Sequence, residues 1–154
     1  MARFVATGDT PADPRTVFDY LADFETLAQW DPGIATCELI SGQTATAGAR
    51  YRVVAVFLGL KTELEYELLE AQAPTAAAPG RVVVRAETSD LTSYDVLTIE
   101  TVGGGSRATY DADLAPKGIR RIADPAFWLM LQVIGRRAEA GLRSALTSLP
   151  ERAQ

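Results

Sequence analysis

The side chains able to do chemistry in this chain are few, and histidine is not among them. Its absence removes Ser-His-Asp and Cys-His catalysis, histidine proton relays and nearly all zinc or non-haem iron sites. Proton transfer would fall to Asp, Glu, Tyr, Lys or Cys. The sharpest candidate is Asp95, in the run SYDVLTIET. Strand alternation puts it on the same face as Leu97 and Ile99, with Tyr94 and Thr98 on the other. A carboxylate among apolar neighbours has a raised pKa and can serve as a general acid or base. The competing reading is a local bulge, or a carboxylate at the solvent-exposed mouth of a pocket.

Tyr51, Tyr66 and Tyr110 fall on inward positions of three further alternating runs. Each buried phenol needs a hydrogen-bond partner. Together they could orient a carbonyl or hydroxyl of a ligand, or bond to one another and to backbone. Cys37 is a single thiol with no histidine to activate it, and reads as a small packing residue. Asp31, in Trp30-Asp31-Pro32-Gly33, reads as a turn former and Trp30 as a plug behind the sheet.

These residues must be held by a definite set of elements. Arg3 to Thr7 reads as an opening strand. Asp13-Pro14 starts a helix, with Val17, Phe18, Leu21 and Phe24 at helical spacing. A second short helix over Phe24 to Gln29 ends at the WDPG breaker. From Ile34 to Ala115 the period is two. In ARYRVVAVFLGL, Tyr51, Val53, Ala55 and Phe57 share one face, with Arg50 and Arg52 opposite. In KTELEYELLE, Leu64, Tyr66 and Leu68 oppose Glu63, Glu65 and Glu67. RVVVRAET adds Val82, Val84 and Ala86, and RATYDADL adds Ala108, Tyr110, Ala112 and Leu114. Short turns between these runs imply an antiparallel meander. Asp124-Pro125 opens a long helix to about Leu149, with Phe127, Leu131, Ile134, Ala138, Leu142, Ala145 and Leu149 as its apolar stripe.

Strand, two short helices, six strands and a long helix make an α+β domain over residues 1–154. The long helix must bury its stripe on the concave face of a curved sheet of about seven strands, which leaves room for a cavity. The chain has a net charge of −5, so no affinity for nucleic acid is expected. Arg120, Arg121, Arg136, Arg137 and Arg143 read as a solvated helix face, with a weak membrane-surface or partner contact as the alternative. No apolar run approaches a membrane span, no signal-peptide pattern opens the chain, and the cysteine is single. A cytoplasmic location follows as the expectation.

The runs PRTVFDYLADFETLAQWDPGIATCEL, G-ARYRV, TYDADL and DPAFW, in that order, resemble the SRPBCC superfamily. This START-like, helix-grip group includes polyketide cyclases/dehydrases, pollen-allergen-type carriers and lipid-transfer domains. The resemblance implies a helix-grip fold around a deep pocket for an apolar ligand, and the superfamily spans carriers, sensors and enzymes. Its allergen-type branch carries a glycine-dense loop that Gly42 to Gly48 does not reproduce, so no phosphate site is expected there. It places Trp30 at the pocket entrance, joined by Trp128, which is offset from the stripe and reads as a mouth closure or an oligomer contact.

The expected ligand-binding residues are Tyr51, Val53, Phe57, Leu64, Tyr66, Leu68, Val84, Ala86, Leu97, Tyr110, Ala112, Phe127, Leu131 and Ile134, with plain core packing the alternative for each apolar one. Two functions compete, beside a third reading as an interaction module with a filled core and no ligand. The first is a carrier or sensor of a lipid, polyketide or aromatic metabolite. The second is a cofactor-free cyclase or dehydratase in which Asp95 moves protons and the tyrosines hold an enolate oxygen. Neither metal nor cofactor is expected; the partner is a hydrophobic small molecule, and a homodimer is left open.

Overall fold

The computed structural model describes residues 2–118 and 125–150, with only the backbone of Ala2 and Phe127. The elements run β1 (Ala2–Thr10), α1 (Pro14–Ala22), a 3-10 turn (Phe24–Thr26), α2 (Leu27–Trp30), β2 (Ile34–Ser41), β3 (Arg50–Phe57), β4 (Leu60–Gln72), β5 (Gly80–Glu87), β6 (Leu91–Val102), β7 (Gly105–Pro116) and α3 (Pro125–Thr147). The seven strands form one antiparallel sheet in the order β1-β7-β6-β5-β4-β3-β2. This is the expected helix-grip arrangement, with the short helices between the first two strands.

Local chemistry explains the boundaries. Asp13 caps α1 by accepting the Arg15 and Thr16 amides at 3.0 and 3.1 Å, and Pro14 occupies the first turn. Asp124, expected to do the same for α3, lies outside the described residues, as do Arg120 and Arg121. The β3–β4 turn is two residues, Leu58 and Gly59, both at positive φ, the mirror-image hairpin geometry that matches strand twist. Outside the sheet, Arg50 pairs with Glu65 and Arg52 with Glu63, so the polar face lies where alternation placed it. A register shift between Leu68 and Glu70 resets the alternation of β4.

The helix α3 sits across β1 and α2 rather than evenly over the sheet. Thr10 Oγ1 donates to the Leu146 carbonyl at 2.8 Å, and Arg143 Nε donates to the Thr7 carbonyl at 3.0 Å. At Gly141 the Trp30 carbonyl occupies the space a Cβ would need, so only glycine permits this approach. Ala138, Leu142 and Leu146 are buried. Ala145 and Leu149 of the expected stripe pack half-buried against the same core, Leu146 beside them is fully buried, and the helix itself ends at Thr147. Anchored at its C-terminal half, α3 leaves its first half standing off the sheet.

Candidate ligand cavity

The space left under the first half of α3 is a cavity of about 230 Å³. Met130, Leu131 and Ile134 of the helix form its roof, and Ala55, Phe57 and Leu64 of β3 and β4 its floor. Ile34, Leu91 and Leu114 close the sides. A smaller recess of about 80 Å³ adjoins it beside Phe4, Tyr110, Ala112 and Trp128, and shares Leu114, Leu131 and Ile134 with it. Outward, Phe57, Leu64, Leu91 and Met130 continue into an open groove between the β3–β4 turn, the β5–β6 turn and Ala126 at the start of α3. The cavity is largely apolar, and its way out is at this end of the sheet.

Asp31 lies in the wall of both cavity and recess. The WDPG turn fixes it: its amide donates to the Leu27 carbonyl at 2.9 Å, and its Oδ1 accepts the Gly33 amide at 2.8 Å. Its turn role is as expected from the sequence; its place in the cavity wall is not. The residue is 8% exposed, and burial holds its carboxyl above the usual aspartate range.

Behind the recess runs a chain of buried hydroxyls ending on Asp95. Tyr66 donates to Ser93 Oγ at 3.4 Å, Ser93 Oγ to Asp95 Oδ1 at 2.8 Å, and Tyr110 to Asp95 Oδ2 at 3.0 Å. Asp95 is 2% exposed. Burial raises its pKa to about 6 against the opposing effect of its two hydroxyl donors, and the negative charge of Asp31 adds to the rise. The Tyr66 and Tyr110 phenols are pushed upward by the same burial and by the Asp95 charge. Neither ionises near neutral pH. Cys37, with its Sγ on the Phe24 carbonyl at 3.1 Å, is pushed up to about 12 by burial and is not a nucleophile.

The structure separates residues that alternation alone groups together. Phe57, Leu64, Tyr110, Ala112, Leu131, Ile134 and Trp128 line the cavity or recess. Tyr51, Val53, Tyr66, Leu68, Val84, Ala86 and Leu97 are buried in the solid core and line neither. The reason is the chain between β1 and β2, which fills the other half of the concave face. Phe24 packs at 5.4 Å from Tyr51 and 5.3 Å from Tyr66, and Trp30 meets Tyr110 edge-on at 5.6 Å. Two of the three phenols thus meet at Asp95, Tyr110 directly and Tyr66 through Ser93, while Tyr51 stands apart. Tyr51 Oη is buried and makes no hydrogen bond among the described residues, and burial pushes its pKa upward. Trp30, read from the sequence as a plug and by resemblance as an entrance residue, is 4% exposed and lines neither space, its carbonyl lying against Gly141 of α3. The Phe127 side chain lies outside the described residues.

Sequence reasoning missed several contributors besides Asp31. Ser93 sits two residues before Asp95 on the same face, and period two applied one step further finds it. Ile34 and Met130 carry no signal beyond apolarity, because their role depends on where α3 lifts from the sheet. Among the described residues no cluster of three or more metal-ligating side chains occurs.

The comparisons with known proteins agree on the class of domain. By structure the chain resembles a START superfamily protein from Mycobacterium smegmatis at 14% identity and a TM-score of 0.72, over 94% of this chain and 96% of that one. It also resembles the Zhui aromatase/cyclase from Streptomyces sp. R1128 at 12% identity and a TM-score of 0.72, over 94% and 90% of the two chains. A major latex-like protein from Panax ginseng aligns at 16% identity and a TM-score of 0.63, over 90% and 95%. At these identities the likeness is one of fold. No curated protein matches the sequence significantly. A sequence model described as polyketide cyclase / dehydrase and lipid transport matches residues 1–154. The chain accordingly belongs to the polyketide cyclase/dehydrase and lipid transport family, of the START-like helix-grip type.

Proposed function

We infer from family and fold that this is a hydrophobic ligand-binding domain. We propose that it works as a carrier or sensor, holding a lipid, polyketide or aromatic metabolite in the cavity under the first half of α3. The observation that carries this reading is the cavity wall itself. Aliphatic and aromatic side chains surround the space, and its inner end is marked by Asp31 and Tyr110. An apolar body is held by desolvation while a few polar groups fix its orientation.

The competing reading, a cofactor-free cyclase or dehydratase, is favoured by one observation: Tyr110 links the recess to Asp95, whose pKa of about 6 suits proton exchange. Against it, both Asp95 oxygens are already occupied by Ser93 and Tyr110, and Asp95 lines neither space. Binding without chemistry is therefore preferred.

Native mass spectrometry of the purified chain, with solvent extraction of what co-purifies, tests this. An apolar small molecule at one per chain is expected. Recovery of none, with no uptake of a neutral apolar dye, would refute the binding role. If a substrate is found, turnover lost in Asp95→Asn and in Tyr110→Phe with binding retained would favour the enzyme.

A further inference from the structure

Asp31 contributes more than a turn. Its Oδ1 is used by the Gly33 amide, but its Oδ2 accepts no hydrogen bond among the described residues. That oxygen belongs to a residue 8% exposed in the wall of both cavity and recess, where a donor on a ligand can reach it. The ionisable side chains lining the cavity and recess are Asp31, Tyr110 and Arg3. Tyr110 already donates its proton to Asp95, so it offers a ligand only lone pairs. Arg3 is no counter-ion to Asp31. Its Nε and one terminal nitrogen grip both oxygens of Asp111, at 2.9 and 2.6 Å, and its side chain is 67% exposed at the rim. Asp95 adds a second negative charge behind Tyr110.

The inner end thus carries negative charge with no cation paired to Asp31 among the described residues; the side-chain donors in the walls, Gln132 and Trp128 of the recess and Thr62 of the cavity, are neutral. We infer that the polar terminus of the ligand is a hydrogen-bond donor, a protonated amine on an apolar body, received by Asp31 Oδ2. The inference rests on the ligand-binding reading above and names the ligand's chemical class. An ammonium supplies the missing charge and up to three donors. A hydroxyl satisfies the acceptor without the charge. A carboxylate or enolate meets Asp31 and Asp95 head-on and pays for its own desolvation as well.

The test is displacement of Nile red, a neutral apolar dye, from the full chain at pH 7. The displacers share one ring system: naphthylmethylamine, naphthylmethanol and naphthoate. The amine is expected to bind at least about tenfold more tightly than the carboxylate, with the alcohol between, the range of a hydrogen bond to a charged group. Asp31→Asn keeps an oxygen for the Gly33 amide and removes the charge, and should bring the three probes within about threefold. If that variant does not fold, the carboxyl-carbon resonance of Asp31 in the unmodified chain should shift on adding amine and stay put on adding naphthoate. Equal or tighter binding of naphthoate, or an amine preference that survives Asp31→Asn, overturns the inference. Dye that binds but yields to none of the probes overturns it while sparing the cavity. No dye binding at all removes the ligand-binding reading and the inference with it.

Discussion

Replacing Asp95 with Asn should stabilise the domain at neutral pH and do nothing in acid. In the folded chain burial moves the Asp95 pKa from 3.8 to about 6. The folded state therefore holds this proton more tightly than the unfolded state. Below about pH 4 both states carry it and the residue is neutral in effect. As pH rises through about 6 the fold must accept a buried charge, and stability falls. The full cost is about 3 kcal/mol, from about 1.4 kcal/mol per tenfold change in proton affinity. Asn resembles the protonated acid: it can accept from Ser93 Oγ and donate to the Tyr110 oxygen. Other carboxylates pull the opposite way, since Asp9 and Asp111 are lowered by their arginine partners. Comparing variant with parent cancels these. Urea unfolding at pH 8 should place the Asp95→Asn midpoint higher by about 1–2 M, and at pH 4 the two midpoints should nearly coincide. A difference that does not change between pH 4 and 8, or a variant less stable at pH 8, would show that the hydroxyl donors outweigh burial and refute the reasoning.

Other substitutions probe the frame around the cavity. Gly141→Ala gains about 1 kcal/mol of helix propensity but drives a methyl into the Trp30 carbonyl, so a net loss of about 1–2 kcal/mol is expected in thermal unfolding. Gly135→Ala meets the Phe4 side chain rather than backbone and should cost less. Leu58 is 86% exposed at φ 49°, so Leu58→Asn should raise stability by about 0.5–1 kcal/mol in urea titration. Asp13→Ala removes the α1 cap and should lower stability by about 1 kcal/mol in the same assay.

Most of the fold is legible in the residues because local signals and global burial agree. Alternation from Ile34 to Ala115 gives six strands of the sheet, and the Asp-Pro step opens α1. The single most useful departure from expectation concerns Tyr51 and Tyr66. Alternation says which face a side chain takes, not what covers that face. Phe24 and its neighbours cover half of the concave surface, so two of the three phenols are core and only Tyr110 reaches open space. Asp31 illustrates the converse. Its turn chemistry is plain from Asp31-Pro32-Gly33, but its cavity position follows from α3 docking through Gly141, a contact distant in sequence. Trp30 moves from entrance to interior for the same reason.

The central claim is that the space under the first half of α3 receives an apolar molecule. Ala55 lines its floor, half-buried, and Ala55→Phe would fill much of the volume without touching the buried core at Leu142 and Leu146. Nile red titrated into the parent chain should bind saturably at one site. The Ala55→Phe variant, unfolding at a similar urea concentration, should bind it at least about tenfold more weakly, the loss expected when an apolar ligand's buried area is displaced. Equal affinity in the two chains would place the dye elsewhere and contradict the claim.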